Sequence, residues 1–556
     1  MRNSLLLASL VLVWVLPGLF PHEPWKADEA YSFGIVYHML ETGDWVVPAV
    51  AGEPFMEKPP LFYITAAGFA RLFSPLLKLH DGARLASGFY VLIAFLFAGL
   101  SGRRLWGAGR GTTTVALVMG SAGLLLNVHL LVTDTALLAG CAIAMFGLTQ
   151  AQERPVAGGV WLGLGTGIGF LSKGLVAPGM FGLASLLLPV LSPPLRTRRY
   201  ALFLAIALLA ALPSLTVWPF ALYRRSPDLF REWLWNNNFG RFFGFSHLGP
   251  RNTGTYLVLL SYFALPTYLI ALWATWRKVR GGGLRETAFA VPLAVFLAMW
   301  GTLEASSEGR DLYAVPMLLP VSLMAASVVP ALSRRTSAVL NGLGAAVFTG
   351  GISALWMMWS ALTTGHPPGL AGWLNRISPA YVPAFRPFPF ALAVVFTAWW
   401  LALAASELGR QHGERAVSNW AAGTSLCWGV AMAILLPWLD AGNSYRPVMV
   451  SLAVAVPPGH EIALSSLGES ERAMLHYYTG IETHRVVPGG PNEFDVLLLQ
   501  TRPGAKDGMG EGWRKIWEGS RQGDGKECFR LYHRVDEPVR KVLSSSARKL
   551  RLKSKG

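Results

Sequence analysis

Charged residues are scarce in this chain. Only 14% of its 556 residues are charged, whereas 53% are hydrophobic. A soluble globular domain has about a quarter charged residues, so this scarcity excludes an ordinary soluble protein and predicts a polytopic membrane protein. The net charge of +16 does not indicate a nucleic-acid-binding protein, because the basic residues are not gathered on one soluble face.

Cysteine is also rare. Cys141 and Cys427 lie in apolar segments, and Cys528 is far from both in sequence. Three such cysteines exclude a disulfide framework and a cysteine-based metal site. The histidines are scattered and show no zinc spacing.

Apolar runs recur along the first 437 residues. A spanning helix needs about 20 apolar residues, and the runs predict about thirteen spans. The predicted fold class is therefore mainly α, a polytopic membrane protein of about thirteen transmembrane helices. The predicted spans are 4–20, 82–101, 111–127, 134–150, 157–171, 175–192, 201–221, 256–276, 287–303, 313–331, 338–361, 389–405 and 416–437.

The connections between these spans differ in charge. If the N-terminus is cytoplasmic, the inner connections carry 16 Lys and Arg but only 4 Asp and Glu. This asymmetry follows the positive-inside rule and predicts that orientation. The long first loop at 21–81 and the C-terminus then lie outside, which is the periplasm if the membrane is a bacterial inner membrane, as we expect.

The composition changes near residue 438. Strand-like runs follow at 461–466, 496–501 and 529–535, with a helical run at 470–478. We expect three parts: a transmembrane catalytic domain at 1–437, an external α/β domain at 438–540, and a basic, flexible tail at 541–556.

The first external loop contains two groups of charges. Asp28 and Glu29 open a segment at 30–40 whose apolar residues form one helical stripe, which predicts a helix lying in the membrane interface. Asp28 is then either a helix N-cap or a carboxylate that takes a proton from an attacking hydroxyl or amine. Further along, two prolines stiffen the backbone after Glu57 and Lys58. Such a pair can bind a lipid phosphate together with a metal ion or a hydroxyl. The alternative is a solvated ion pair at the surface.

Other charges lie at the outer ends of predicted spans. Asp134 opens a span, and Lys173 lies in a very short external turn. Charges at such positions are costly and often functional, although Asp134 can also cap a helix and Lys173 can extend to lipid headgroups. Arg310 precedes a span and can clamp a phosphate with two hydrogen bonds.

Aromatic and amide side chains surround Arg241 in the segment 233–243. This composition either binds a sugar by stacking and hydrogen bonding or anchors in the membrane interface. A glycine-rich segment at 159–169 lies within an apolar span, where it indicates close helix packing rather than a nucleotide loop.

Together these motifs resemble those of the polytopic glycosyltransferases with GT-C architecture. The specific resemblance is to the protein O-mannosyltransferase-like family that includes the bacterial lipid A aminoarabinose transferase. The order and spacing of the motifs cover most of residues 20–330. The matching elements are Asp28-Glu29-Ala30-Tyr31, Gly43-Asp44-Trp45-Val46-Val47-Pro48, Glu57-Lys58-Pro59-Pro60-Leu61, Arg84-Leu85, Thr133-Asp134, Phe170-Leu171-Ser172-Lys173-Gly174, Asn238-Phe239-Gly240-Arg241-Phe242 and Arg310-Asp311-Leu312-Tyr313.

The resemblance implies that a sugar moves from a polyprenyl-phosphate carrier to an acceptor at the outer face of the membrane. The acceptor would be a lipid A-like lipid, a glycan or a protein. Glu57 would hold a divalent metal ion or the acceptor, although some relatives have His where this chain has Asn238. The other implied site residues are Asp28, Glu29 and Asp134 for catalysis, Lys58 for binding the donor phosphate, and Lys173, Arg241, Arg310 and Tyr313 for supporting it.

A transporter or flippase of lipid-linked sugars is the main alternative from another class. Such a protein favours charges deep within spans, broken helices and paired halves. Here the charges lie at the outer ends of spans, and no internal repeat is evident. An O-antigen ligase or polymerase shares lipid-linked substrates but lacks this first-loop pattern, and a simple membrane anchor does not need so many external ionisable residues.

Overall fold

Helices make up most of the chain in this computed structural model. The structure describes residues 2–246, 251–379, 381–407, 412–458, 462–485, 494–506, 509–510 and 512–535. The predicted tail at 541–556 lies outside the described residues, as does Glu461 at the start of one predicted strand.

The helices and strands follow one another along the chain with short connections. The helices before residue 240 are α1 (Arg2–Val15), α2 (Asp28–Thr42), α3 (Leu61–Phe73), α4 (Leu79–Trp106), α5 (Arg110–Met119), α6 (Ala122–Asn127), α7 (Asp134–Leu148), α8 (Pro155–Lys173), α9 (Val176–Leu191), α10 (Arg198–Arg225) and α11 (Pro227–Arg231). The later helices are α12 (Arg241–Phe243), α13 (Tyr256–Phe263), α14 (Thr267–Arg280), α15 (Thr287–Ala305), α16 (Leu318–Ala326), α17 (Arg334–Thr364), α18 (Pro368–Ile377), α19 (Pro387–Glu407), α20 (Gly413–Asn443), α21 (Arg446–Ala455) and α22 (Glu469–Thr479). The strands are β1 (Ala49–Val50), β2 (Glu53–Pro54), β3 (Ile462–Ser465), β4 (Thr483–Arg485), β5 (Val496–Thr501), β6 (Trp513–Gly519) and β7 (Cys528–Arg534).

The chain is an integral membrane protein. Among the described residues, seven helices are long and apolar enough to cross a bilayer, namely α4, α8, α10, α15, α17, α19 and α20. A further pair, α13 and α14, would make an eighth span, although it bends by 115°. The predicted count of thirteen is not confirmed, because some apolar runs form short or divided helices. The run at 111–127, for example, is divided between α5 and α6.

Glycines on α8 allow it to pack closely between α7 and α10. A Cβ atom at Gly163 would lie 2.3 Å from the carbonyl oxygen of Ala207 on α10, and one at Gly165 would lie 2.3 Å from the backbone nitrogen of Ala144 on α7. Larger residues would force the helices apart. The packing role predicted for these glycines is therefore confirmed.

The C-terminal part forms a five-stranded mixed sheet in the order β4-β3-β5-β7-β6. The strand at 496–501, the neighbouring strand at 529–535 and the helix at 470–478 are close to their predicted positions. Sequence patterns missed β4, β6 and α21, and the domain boundaries at 438 and 540 stay predictions. Helix α22 packs directly on α2, where a Cβ atom at Gly34 would lie 2.4 Å from the Cβ of Ala473.

Helix α2 forms as predicted, and its apolar stripe packs against other parts of the fold; its place in the membrane interface stays a prediction. Ala30, Phe33 and Val36, three members of the apolar stripe, are fully buried. Helix α2 as a whole packs against α3 and α22. The stripe that suggested membrane contact is therefore a protein–protein packing surface within the fold.

A buried ion pair fixes the start of α2. Glu29 accepts hydrogen bonds from Arg84 Nε at 2.6 Å and from the backbone nitrogens of Trp25 at 3.0 Å and Leu131 at 3.2 Å. Arg84 is fully buried and also donates to Asp81 and to the carbonyl oxygens of Leu19 and His22. One guanidinium therefore joins α2, α4 and the connection after α1.

Replacing Arg84 tests how much the buried Arg84–Glu29 ion pair stabilises the fold. Arg84→Met should lower the free energy of unfolding by about 3–5 kcal/mol, because it leaves the buried carboxylate of Glu29 without its cation. The measurement is equilibrium unfolding of the purified protein in mixed detergent micelles. Arg231→Met is the control, since the Arg231 side chain is 71% exposed, and its effect should stay within about 0.5 kcal/mol. Equal losses for the two variants would contradict the assignment.

Candidate active site

A cavity of about 370 Å³ lies where several helix ends meet the long loop at 21–81. Most of the residues predicted for the site line this cavity. One wall is polar and charged, and the other is formed by apolar residues of α7, α9 and α15. The lining includes Asp28, Glu57, Lys58, Asp134, Leu137, Lys173, Val176, Gly179, Met180, Asn238, Phe239, Arg241, Phe242, Leu303, Glu308, Arg310 and Tyr313.

The charged residues sit at helix ends that suit their charge. Asp28 and Asp134 are the first residues of α2 and α7, where the positive end of the helix dipole favours a carboxylate. Lys173 is the last residue of α8, where a cation is favoured. Neither carboxylate caps its own helix, so the N-cap alternative for both residues is wrong. Asp134 and Lys173 thus lie at the ends of α7 and α8 that are opposite the connection between the two helices, which carries Arg154.

Asp28 is held by three neighbours. Arg310 Nη1 lies 3.1 Å from Asp28 Oδ1 and 3.3 Å from Asp28 Oδ2. Tyr31 donates its hydroxyl hydrogen to Asp28 Oδ1 at 2.7 Å, and Lys58 Nζ donates to the Tyr31 hydroxyl at 2.6 Å. Lys58 therefore acts on the carboxylate of Asp28 through one intervening hydroxyl.

These contacts control the charge of Asp28. Burial by itself would raise the pKa of Asp28, but the positive charge of Lys58, the Tyr31 hydrogen bond and Arg310 outweigh it. The net pKa of Asp28 is below its ordinary value, so the group is a carboxylate at neutral pH. The pKa of Glu57 is lowered in the same way: burial opposes the shift, and Lys58 and Arg241 overcome it.

A second ion pair lies across the cavity. The ammonium of Lys173 contacts the buried carboxylate of Asp134 and lies 4.0 Å from the ring centroid of Tyr313. Lys173 is therefore part of an organised pair with an aromatic face and does not merely extend to lipid headgroups. This pairing joins α7, α8 and the 3₁₀ turn that begins at Asp311.

Arg241 links the first loop to a later loop. Its guanidinium contacts Glu57 and donates from Nε to Glu308 Oε2 at 2.7 Å. Lys58 Nζ lies 3.9 Å from Glu57, so this carboxylate is shared by two cations. The burial of Arg241 works against its charged form, but the two acidic partners raise its pKa further above the ordinary value.

The structure brings together eight of the nine predicted site residues. The exception is Glu29, whose buried carboxylate faces Arg84 rather than the cavity. Its geometry favours a positioning role over the predicted catalytic one. Sequence reasoning missed Tyr31 and Glu308, although signals for both were present. Tyr31 lies three residues after Asp28, one helical turn away, and Glu308 lies two residues before Arg310.

The residues present do not fit a divalent metal ion at Glu57. The carboxylate of Glu57 is already paired with Arg241 and Lys58. Asn238, the other candidate ligand, uses its side-chain oxygen to accept a hydrogen bond from the Leu175 nitrogen at 3.0 Å. Among the described residues, no group of three or more His, Cys, Asp or Glu is arranged to hold a metal. We therefore derive no step through a metal.

The fold and the cavity together define a class of protein. Long apolar helices form a membrane-embedded bundle, and paired charges gather at one end of it beside an apolar wall. This arrangement resembles the GT-C architecture, and the resemblance is one of fold. The structure of ArnT from Cupriavidus metallidurans bound to undecaprenyl phosphate has the same fold, with a TM-score of 0.70, 17% sequence identity, and coverage of 95% of this chain and 98% of that one.

Sequence relatives agree with the resemblance seen in the motifs. The undecaprenyl phosphate-α-4-amino-4-deoxy-L-arabinose arabinosyl transferase of Pseudomonas aeruginosa is 31% identical over 356 residues, which are 61% of this chain and 62% of that protein. A transferase of the same name from Pseudomonas fluorescens is 32% identical over 359 residues, 60% of this chain and 59% of that protein. The match thus spans about three fifths of the relatives' length. No family model matches the chain.

These comparisons confirm the predicted resemblance to GT-C glycosyltransferases of the aminoarabinose transferase kind. They concern the fold and the family likeness. The role of each cavity residue stays a prediction, supported by its position in the cavity.

The lowered pKa of Asp28 predicts how stability depends on pH. A carboxylate whose folded pKa is depressed stabilises the fold above its unfolded pKa of about 4, and this stabilisation is lost as the pH falls through the folded pKa. The difference in melting temperature between wild type and Asp28→Asn should therefore be greatest near pH 7 and shrink below about pH 4. Asp228→Asn is the control, because its side chain is 88% exposed, and it should leave the melting temperature unchanged throughout. A difference that grows on acidification would contradict the assignment.

Proposed function

We propose that this protein is a membrane glycosyltransferase that moves a sugar from a polyprenyl-phosphate donor to an acceptor at the outer membrane face. The observation that carries the proposal is the cavity in which Asp28 lies beside Lys58, Arg310 and the Lys173–Asp134 pair. It combines a carboxylate for taking a proton with cations for stabilising a phosphate. The names of the relatives supply independent support.

The apolar wall suits the donor lipid. Leu137, Val176 and Met180 line the side of the cavity formed by α7 and α9. Gly179 adds open space there, since nothing lies within 4 Å of where its Cβ would be. We place the polyprenyl chain along this wall and its phosphate at Lys58 and Lys173, with Arg241 and Tyr313 next to it.

The reaction is a single displacement in which Asp28 acts as general base. Asp28 takes the proton from the acceptor hydroxyl or amine as the acceptor attacks the anomeric carbon. The bond from that carbon to the phosphate oxygen breaks, and polyprenyl phosphate leaves with one more negative charge. Lys58 and the nearby cations stabilise that charge. One displacement inverts the anomeric centre.

Donor binding should activate the base. In the structure, Asp28 is held as a weak base, with a lowered pKa, by Lys58 through Tyr31 and by Arg310. A donor phosphate that recruits these cations would weaken their hold on Asp28. The pKa of Asp28 then rises toward its unopposed value, because burial alone raises it. Asp28 would accept a proton readily only when a donor is in place.

The sugar and the acceptor form the finer part of the proposal. The relatives are named for 4-amino-4-deoxy-L-arabinose carried on undecaprenyl phosphate, so this pentose is our first choice of donor. A lipid A-like lipid is our first choice of acceptor, with a glycan or a protein as alternatives.

We place the protein in a bacterial inner membrane with the N-terminus in the cytoplasm, the C-terminal part in the periplasm and the cavity on the periplasmic side. The transporter alternative has less support, since the cavity charges gather at one end of the bundle and the relatives are named as transferases.

Donor turnover tests the proposal. The full-length protein in lipid is given a panel of radiolabelled polyprenyl-phosphate sugars, and release or transfer of label is measured. Asp28→Asn should lower the rate by about 10²–10⁴-fold through loss of the base, and Lys58→Ala by about 10²–10³-fold through loss of charge stabilisation. Lys506→Ala, an exposed residue outside the cavity, is the control and should keep wild-type activity. A wild type that only moves intact donor between leaflets would support a transporter instead.

Chelation tests the metal expectation separately. Because the acid groups of the cavity are already paired with cations, transfer should keep its rate after dialysis against EDTA. The rate should not rise when Mg²⁺ or Mn²⁺ is added back. Loss of activity on chelation with recovery on metal addition, abolished in Glu57→Gln, would restore the metal role first expected for Glu57.

A further inference from the structure

A second cavity, of about 440 Å³, lies apart from the donor cavity. It is formed where the ends of α18 and α20 meet the turn between β6 and β7 and the first external loop. Its lining residues are Lys26, Ile377, Ser378, Trp438, Leu439, Gly442, Asn443, Arg521, Gly523, Asp524 and Lys526. None of them lines the donor cavity.

This cavity lies between a helix able to cross a membrane and an amphipathic helix. Helix α20 is one of the helices able to cross the membrane, and the cavity lies at its C-terminal end. Helix α18 beside it is amphipathic: Ala371 and Leu374 are buried, whereas Trp373 and Ile377 are 48% and 40% exposed. Such a helix lies in the membrane interface with its apolar side toward lipid.

The cavity wall carries more cations than carboxylates. Lys26, Arg521 and Lys526 line it, against Asp524 as the only acidic residue among the described lining residues. Arg521 contacts Asp524, and the backbone nitrogen of Lys526 donates to the same carboxylate at 2.8 Å. The ammonium of Lys526 is exposed and has no ion-pair partner in the described part of the chain.

Lys26 and Arg521 also keep donors available. The ammonium of Lys26 bonds to Glu471 at 2.8 Å and Glu527 at 2.7 Å, which uses two of its three hydrogens. Arg521 has five N–H donors, and within the described residues the hydrogen bonds from this side chain reach Asp524 and the carbonyl oxygen of Asn443. An anion in the cavity would therefore meet free N–H groups as well as positive charge.

Two buried polar atoms of the lining residues have no hydrogen-bond partner. They are the hydroxyl oxygen of Ser378, a residue that is 2% exposed, and Nε of Arg521, whose side chain is 10% exposed. Arg521 Nε lies 3.4 Å from a Glu527 oxygen but without hydrogen-bond geometry. Buried polar atoms are normally paired, so each unpaired one requires an explanation. A bound oxyanion would supply acceptors for both.

The β6–β7 turn packs closely against the end of α18 beside the cavity. Gly523 has φ +82°, and a Cβ atom there would lie 2.1 Å from the carbonyl oxygen of Ile377. Only glycine allows the β6–β7 turn to approach α18 this closely. Two of the segments that line the cavity are thus in direct contact.

We propose that this second cavity binds a phosphate-bearing group, either a phospholipid headgroup or free phosphate. The exposed Lys526 attracts the group, Arg521 and Lys26 donate hydrogen bonds to its oxygens, and the Ser378 hydroxyl donates from the buried side. The proposal does not depend on the transferase activity, because no donor-cavity residue takes part.

Calorimetric titration of the full-length protein in a neutral detergent tests the site. The probes are dihexanoyl phosphatidic acid, dihexanoyl phosphatidylcholine and inorganic phosphate. All proteins carry Lys58→Ala, which weakens anion binding in the donor cavity. Lys526→Gln should weaken phosphatidic acid binding about tenfold, the effect of losing one charge-assisted hydrogen bond. Ser378→Ala should weaken it about threefold, since a neutral donor contributes less, and should fold normally because it removes an unpaired hydroxyl.

Lys506→Gln is the matched control, since it removes the same charge from an exposed position outside the cavity, and it should bind like its parent. Tighter binding of phosphatidic acid than of inorganic phosphate would identify a lipid headgroup, and equal binding would identify free phosphate. Phosphatidylcholine should bind more weakly than phosphatidic acid. Equal effects of Lys526→Gln and Lys506→Gln, or no binding of either phosphate probe, would overturn the proposal. If donor turnover fails but these binding results for the second cavity are obtained, the failure would contradict the proposed transferase function and leave the phosphate site standing.

Discussion

The carboxylate of Glu29 joins the segments that carry Asp28 and Asp134, two of the acidic groups of the candidate active site. It follows Asp28 directly in α2, and it accepts a hydrogen bond from the backbone nitrogen of Leu131, three residues before Asp134. Arg84 neutralises it from α4 at 2.6 Å. A charge so deeply buried is tolerated only with such partners. Because it is fully paired, the starts of α2 and α7 keep a fixed relation, and Asp28 and Asp134 line one cavity.

Charge pairing also determines what the cavity can bind. Asp28 faces Arg310, Glu57 faces Arg241, and Asp134 faces Lys173. The cavity is therefore close to neutral while it holds no substrate. Under the proposed function, a phosphate entering the cavity would compete with these carboxylates for the same cations. That competition would give specificity for an anionic group and would link donor binding to the basicity of Asp28. Among the described cavity residues, the acidic groups named here are thus already paired with cations.

The sequence predicted the helical membrane fold and the membership of the cavity well, because both depend on local signals. Apolar runs mark α4, α10 and α20, and the motif residues lie at helix ends where few positions are available. The contact between Lys173 and Asp134 was not predictable, since 39 residues separate the two and only packing of α7 on α8 brings them together. Span counting failed where runs such as 111–127 are divided between short helices.

Tertiary packing accounts for the other differences. The apolar stripe of α2 has the pattern of an interfacial helix, yet α22, more than 400 residues away in sequence, covers it. Glu29 looked catalytic because it lies in the motif beside Asp28. Only the position of Arg84 shows that its side chain points away from the cavity. A pattern read along one segment cannot reveal a partner supplied by a distant one.

Locating the donor phosphate tests the central claim most directly. The measurement is a cryo-electron microscopy structure of the full-length protein in lipid nanodiscs with undecaprenyl phosphate. The account predicts phosphate density within hydrogen-bonding distance of Lys58 and Lys173, the lipid chain along α9, and at least one of the ion pairs of Asp28 or Asp134 opened. A phosphate bound elsewhere, with all the cavity ion pairs intact, would contradict it.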